Sequence, residues 1–332
     1  MTLTRPTAEV AARGPARRPG TGRAVAVLVL VALAALVPLL GPSAALYDTG
    51  EAAAPGVGGI ALLRGVLFAA LCVPLGELFV DRLARRLRDA PPERPSSWAV
   101  LAAVAGFVAA LGLASTGNLV PRGLADIDVG GLYRSRDGKL ALIEVNAFLL
   151  AGLCARSRRP AVQVWPLAAV VVAEALRAHP PPEHGPLLGS ALTLVHLTCA
   201  TLWVGGLPHA LRMLRRWRGR EAGAALLGLY ARVAAVLLAA ITATGVWSSL
   251  RRMPAGTFLD QLTTTAYGRT LLAKVVLVAA VAALALWARF RLRRAADPLT
   301  AYVPARAEVA VLGVVVAVSA VLTALPVPIR WT

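Results

Sequence analysis

Residues 193–214 read TLVHLTCATLWVGGLPHALRML, an apolar run that carries two of the chain's four histidines. On a helix, His196, Cys199 and Trp203 lie at i, i+3 and i+7 and share one face. Imidazole and thiolate bind soft and borderline metal ions. A polar face inside a membrane span is costly and therefore indicates a function. The alternative is that His196 is a hydrogen-bonded packing residue and Cys199 a small buried one.

Composition indicates that the chain lies in a membrane. Of its 332 residues, 58% are hydrophobic and only 16% are charged, and the mean hydropathy is +0.68. Soluble domains carry about a quarter charged residues. Long apolar segments recur along the whole sequence, and the alternating pattern of barrel strands is absent. The predicted fold class is therefore all-α, a polytopic transmembrane helical bundle.

The net charge of +18 could indicate a nucleic-acid partner. However, the arginines form short runs at alternate ends of the apolar segments, as the positive-inside rule requires. The lipid bilayer, and not a nucleic acid, is therefore the predicted partner. The three cysteines, Cys72, Cys154 and Cys199, lie in or beside apolar segments and are odd in number, so no disulfide framework is indicated.

We predict nine spans. Their bounds are 24–40, 58–80, 98–115, 140–155, 162–176, 187–211, 232–250, 270–288 and 308–325. Of the 35 Lys and Arg residues, 23 lie at the N-terminus and after even-numbered spans, and seven lie on the other side. We therefore expect a cytoplasmic-membrane protein with its N-terminus inside and its C-terminus outside. Residues 1–23 are predicted to be a disordered cytoplasmic segment. Span one could instead be a cleaved signal peptide, because Ser43-Ala44-Ala45 follows it.

The chain also resembles itself at an offset of about 130 residues. The motif at Gly138–Glu144 aligns with the one at Gly268–Lys274, and Arg64 in span two aligns with His196 in span six. An even number of spans in each copy gives both copies the same orientation. We therefore predict two parallel four-span repeats, at 24–160 and 161–295, followed by a ninth span and outer tail at 296–332.

Glu144 and Lys274 occupy equivalent places in the two predicted copies. Opposite charges at these places could pair across the pseudo-axis and hold the copies together. Alternatively, each side chain reaches the outer headgroups, because both residues lie only about 9 Å inside their spans at about 1.5 Å per residue.

From about His196 to Arg294 the sequence resembles the CopD (copper resistance D) family of bacterial membrane proteins. The matching pieces, in order, are His196-Leu197, Trp203-Val204-Gly205-Gly206-Leu207, Tyr230-x-Arg232, Thr244-Gly245 and Tyr267-Gly268-Arg269-x-Leu271-Leu272-x-Lys274. The family usually has Arg-Phe-Ser at the head of the seventh span, where this chain has Arg232-Val233-Ala234. The resemblance depends on the order and spacing of the pieces rather than on any single one.

The resemblance implies copper transport across, or copper handling at, the cytoplasmic membrane, generally inward, and no enzymatic activity. The transported ion would be Cu(I), which prefers thiolate, thioether and imidazole ligands, and no organic cofactor is expected. Of the predicted metal ligands, the resemblance singles out only His196, and Cys199 is predicted from its i, i+3 spacing alone. His179, His184 and Met253 could capture the ion on the outer side. A periplasmic copper-binding protein is a candidate partner.

Two other functions stay open. The chain could be an assembly factor that hands copper to a membrane oxidase, which the sequence does not separate from a transporter. It could also be a b-type haem electron carrier, because His196 and His209 lie on one helix. No other predicted span contains a histidine that would complete the axial pairs, which disfavours the haem.

The arginine distribution predicts the topology directly. Alkaline phosphatase fused to the C-terminus should be active, and a fluorescent protein fused at the same place should be dark, because that end is expected outside. The reverse pattern would show that the chain crosses the membrane a different number of times.

Overall fold

A computed structural model describes residues 21–52, 54–116, 129–181, 185–217, 221–253, 255–294 and 302–327. These ranges are almost entirely helical and contain no strand, which confirms the predicted all-α class for the described part of the chain. Most of the N-terminal segment predicted to be disordered, residues 1–20, lies outside these ranges.

Eleven α-helices occupy the described residues. They are α1 Thr21–Leu46, α2 Val57–Ala84, α3 Ala99–Ala114, α4 Val129–Arg134, α5 Arg136–Arg156, α6 Val164–Arg177, α7 Pro186–Arg216, α8 Glu221–Arg252, α9 Phe258–Thr264, α10 Ala266–Arg294 and α11 Tyr302–Ala324. Glycine and proline mark the start of α7, since Gly185 has a φ of +64° and Pro186 takes the first helical position.

Seven helices in the described ranges are long and apolar enough to cross a membrane, namely α2, α5, α6 with its preceding 3₁₀ turn, α7, α8, α10 and α11. Two shorter apolar helices, Ala32–Leu46 within α1 and Ala99–Ala114, coincide with the first and third predicted spans. The chain is thus a multi-pass membrane protein, and length and composition support seven of the nine predicted spans.

The largest difference from the predicted spans is at α8. This helix begins at Glu221, so Arg232 lies well inside it and not at its head. A charged side chain inside an apolar run resembles a span boundary in the sequence, but a helix can continue past it when the backbone hydrogen bonds do. The short helices α4 and α9 lie in the connections before α5 and α10.

The centre of the bundle is the crossing of α2 and α7. A Cβ atom at Gly205 would overlap the backbone carbonyl of Cys72, and a Cβ at Gly76 would overlap the backbone of Gly205. Only glycine at both positions lets the two backbones approach this closely. The two helices are parallel. Their N-terminal ends therefore lie on one side of the membrane and their C-terminal ends on the other.

Two buried apolar clusters flank this crossing. One joins α7 to α8, α10 and α11 around Trp203, Leu207 and Tyr230, and the Tyr230 hydroxyl donates a 2.6 Å hydrogen bond to the Trp203 carbonyl. The other joins α2 to α3, α5 and α6 around Leu71 and Phe148. The helix predicted as a ninth span, α11, packs against α1, α2, α7 and α10 and so completes the wall of the bundle.

Substitution at the crossing should separate α2 from α7. Gly205→Ala should lower the midpoint of thermal unfolding in detergent, because overpacking of this kind costs about 1–3 kcal/mol. Gly228→Ala is the matched control, since Gly228 lies inside α8 and an added methyl group there would meet no atom within 4 Å. There the change should be neutral or stabilising, by up to about 1 kcal/mol from helix propensity. Equal effects at the two positions would contradict the close crossing.

Candidate functional site

A cavity of about 420 Å³ lies between α2, α6, α7, α8, α10 and α11. We call it the outer cavity, after the side of the membrane that the arginine distribution assigns to this end of the bundle. Its polar lining consists of Arg64, Glu174, Arg177, Thr193, His196, Thr201, Arg252, Tyr267, Lys274, Ser319 and Thr323, together with Cys72. The predicted metal-binding histidine of α7 therefore faces an open space within the bundle.

The protonation pattern of His196 follows from its hydrogen bond to α8. The Nδ1 atom of His196 lies 3.0 Å from the hydroxyl oxygen of Thr244. That hydroxyl lies 2.7 Å from the carbonyl oxygen of Ala240, which can only accept, so Thr244 donates its proton there. Thr244 must then accept from His196, whose Nδ1 carries the hydrogen.

Fixing the hydrogen on Nδ1 leaves a lone pair on Nε2 of His196. The ring also makes a hydrogen bond to the backbone of Ile241 on α8, and no side chain among the described residues hydrogen-bonds to Nε2. A neutral imidazole held by its other nitrogen is the arrangement in which histidines bind metal ions. The metal-binding role of His196 stays a prediction from the sequence, and the structure adds the hydrogen bond that would orient its ring.

Cys199 and Trp203, the other two residues of the predicted face, lie in different surroundings in the structure. Trp203 contributes to the lining of the outer cavity with His196. Cys199 is half-buried against the apolar cluster between α7 and α8 and is not part of that lining. The cysteine that does reach the cavity is Cys72 on α2, which the sequence distinguishes only as one of three thiols in apolar segments.

The predicted capture residues do not gather at the outer cavity. His179 is buried, and its Nε2 lies 2.9 Å from the hydroxyl oxygen of Thr193. Met253 is fully buried after the end of α8. His184 lies outside the described residues. Within the described ranges, no three His, Cys, Asp or Glu side chains are placed to hold a metal ion together.

Buried ion pairs tie the outer halves of α2, α5 and α6 together. Arg177 lies 2.9 Å from Glu144, close in distance but without an aligned hydrogen bond, and Arg64 lies 3.5 Å from Glu174. The predicted pairing of Glu144 with Lys274 is therefore wrong. Glu144 lies on α5 and faces α6. The two helices follow each other in the sequence, and the short connection between them packs them side by side.

The charges around the outer cavity do not cancel. Four basic side chains line it, and two carboxylates, Glu174 in the lining and Glu144 behind Arg177, balance half of their charge. Arg252 donates to the Tyr267 hydroxyl at 3.2 Å and to the Ala178 carbonyl at 3.3 Å, while Lys274 contributes to the wall. The outer cavity therefore has an excess of basic side chains.

A second charged cluster lies at the other end of the α2–α7 pair. Glu77 lies 3.1 Å from Arg212 and accepts from the Ser97 hydroxyl at 2.5 Å and from the Trp98 amide at 2.9 Å. These bonds join the start of α3 to α2 and α7. His209 lies beside this cluster, with Nε2 3.5 Å from Asp81. The partners of His196 and His209 in the described residues are thus a threonine and carboxylates, and not the second histidines that a b-type haem requires.

Six residues from the matching pieces of the family resemblance lie in three places. Trp203, Tyr267 and Lys274 line the outer cavity with His196. Gly205 lies at the helix crossing. Arg232 lines a separate cavity of about 530 Å³ between α8, α10 and α11.

The fold and the cavities define a polytopic helical membrane protein with a histidine exposed to an internal space. Residues 224–322 match the family model of copper resistance protein D, which confirms the resemblance over that part of the chain. The match covers all but the first three residues of α8, all of α9 and α10, and most of α11. It includes Thr244, Tyr267 and Lys274 but begins after His196. No curated protein and no solved structure matches the chain.

The ion pair between Arg177 and Glu144 can be tested by mutation. Arg177→Ala should destabilise the protein by about 3–5 kcal/mol, because it leaves the fully buried Glu144 without its cation. Adding Glu144→Gln should recover part of that loss, measured as the unfolding midpoint in detergent. The pair Lys274→Ala and Glu144→Gln is the control and should show additive effects. Non-additive effects of Lys274→Ala and Glu144→Gln, together with additive effects of Arg177→Ala and Glu144→Gln, would show that Glu144 pairs with Lys274 after all.

Proposed function

We propose that this protein carries copper across the cytoplasmic membrane, with Nε2 of His196 as a ligand of the ion in the outer cavity. The observation that carries the proposal is the hydrogen bond from His196 Nδ1 to Thr244, which directs the free lone pair away from α8. The match of residues 224–322 to copper resistance protein D supports copper as the ion. It also supports the second half of the bundle as the copper-handling part.

The direction proposed is import. The outer cavity is lined by the end of α6, the first half of α7 past its initial turns, and the second half of α11. The arginine distribution assigns these parts to the outer side. An ion captured there would move along α7 toward the inner end. Cu(I) is the proposed form, because imidazole and thiol groups rather than clustered carboxylates line the space.

The excess of basic side chains in the outer cavity constrains how the ion arrives. A bare cation would meet Arg252 and Lys274 in surroundings where charges are weakly screened. Copper bound to an anionic ligand, or handed over directly by a periplasmic copper-binding protein, avoids that repulsion. Once the ion is bound, a single nitrogen ligand holds it weakly, which suits passage better than storage.

The role of His196 can be tested by copper uptake into proteoliposomes at matched protein density, with a reductant present. His196→Ala should lose most of the uptake, because the cavity then lacks its nitrogen ligand. Thr244→Val should lower uptake by about 10- to 100-fold, as removal of a group that orients a metal ligand does. Thr244→Ser keeps the hydroxyl and should transport like the wild type.

Cys199→Ala is the matched control on the same helix face. It should transport like the wild type, because Cys199 is packed against the α7–α8 cluster and not in the cavity lining. Wild-type uptake by His196→Ala would overturn the proposal and return this histidine to a packing role. Copper binding without uptake in the wild-type protein would favour delivery to an oxidase instead.

A further inference from the structure

Two of the four basic side chains that line the outer cavity are paired with carboxylates. Arg64 lies 3.5 Å from Glu174, and Arg177 lies 2.9 Å from Glu144. Glu174 is the one carboxylate in the described lining, and Glu144 lies behind Arg177. The charges of the other two basic side chains are therefore not balanced by these carboxylates.

The other two basic side chains are Arg252 and Lys274. Arg252 donates to two neutral groups, the Tyr267 hydroxyl at 3.2 Å and the Ala178 carbonyl at 3.3 Å. Lys274, the ninth residue of α10, makes no hydrogen bond or ion pair with any described residue. An unbalanced charge inside a membrane bundle is costly, so a cavity wall with two of them indicates an anionic ligand.

Lys274 lies near the proposed copper ligand. Both residues line the outer cavity, and the charge of Lys274 acts on the ring of His196. A Cu(I) ion bound to Nε2 of His196 would therefore be repelled by the ammonium group unless an anion lay between them. A single nitrogen also leaves Cu(I) in need of further ligands, and it prefers soft ones. A soft anion bound to the copper would meet both requirements.

We propose that copper enters as an anionic complex of Cu(I) with soft anions, halide or thiolate, and that Lys274 binds the anion that stays on the metal. The inference rests on the proposed transport function and deepens it, because it names the form of the substrate. When a complex of one Cu(I) and two monovalent anions arrives, one copper–anion bond breaks and a bond to Nε2 of His196 forms. The displaced anion leaves to the outer side, and neither an electron nor a proton is transferred.

Uptake from forms of Cu(I) with opposite charge tests the proposal. Proteoliposomes are given the same concentration of Cu(I) as its chloride complex, as its N-acetylcysteine complex, or as its cationic acetonitrile complex with perchlorate, at matched ionic strength. Protein-free vesicles give the background. Uptake from at least one anionic form should be about tenfold faster or more, because a cleft of opposite charge raises the local concentration of its substrate. The faster of the two anionic forms identifies the anion.

Uptake from the acetonitrile complex at a rate equal to or above that of both anionic forms would overturn the proposal.

Substitution of Lys274 separates charge recognition from packing. Lys274→Gln should lower the ratio of anionic to cationic uptake by about tenfold or more, because the charge is lost. Lys274→Arg keeps the charge and should keep the ratio. The matched control is Arg232→Gln, which removes a basic side chain from the separate cavity between α8, α10 and α11 and should leave the ratio unchanged. Lys274→Leu replaces Lys274→Gln if the latter does not fold.

A purely structural role for Lys274 would lower uptake from all forms alike. An unchanged ratio in the uncharged variant would therefore overturn the assignment of Lys274.

The same data distinguish this proposal from the transport function. If His196→Ala abolishes uptake of every form and the wild type has no preference for an anionic one, the substrate proposal is overturned and the transport function stands. If His196→Ala transports like the wild type, both proposals are overturned.

Discussion

The backbone contact between Gly76 of α2 and Gly205 of α7 is the constraint on which the rest of the bundle depends. With no Cβ atom on either side, the backbones of the two helices come into direct contact at this depth. The outer cavity lies next to this contact, because Cys72, whose carbonyl meets Gly205, is part of its lining.

Towards its two ends, α2 is held to its neighbours α6 and α7 by charge rather than by close packing. Arg64 of α2 pairs with Glu174 on the outer side, and Glu77 of α2 pairs with Arg212 of α7 on the inner side. In a hydrocarbon environment a lone charge is far more costly than a paired one, so each ion pair determines which helices can be neighbours. The crossing sets the separation of α2 and α7, and the ion pairs set the angle to which each helix is rotated about its own axis.

His196 shows how a polar group inside a membrane acquires a defined chemistry. In water, the two neutral tautomers of imidazole would interconvert. In the bundle, Thr244 already donates its proton to its own helix and can only accept from the ring. A backbone carbonyl of α8 thereby decides which nitrogen on α7 keeps its lone pair. Thr244 lies inside the segment that matches copper resistance protein D, and His196 lies before it, so the arrangement joins the two parts of the chain.

The sequence by itself determined the membrane class, the helical fold, the approximate positions of the apolar helices and the choice of His196, because hydropathy and helical periodicity act along one chain segment at a time. It predicted a shared face for His196 and Cys199, which a single helix does impose. Only the tertiary structure decided that Cys199 packs against α8, that Cys72 reaches the outer cavity and that Glu144 pairs with Arg177. Those outcomes depend on how far each helix is rotated about its own axis. That rotation is set by contacts between residues distant in sequence, above all by the two glycines at the α2–α7 crossing.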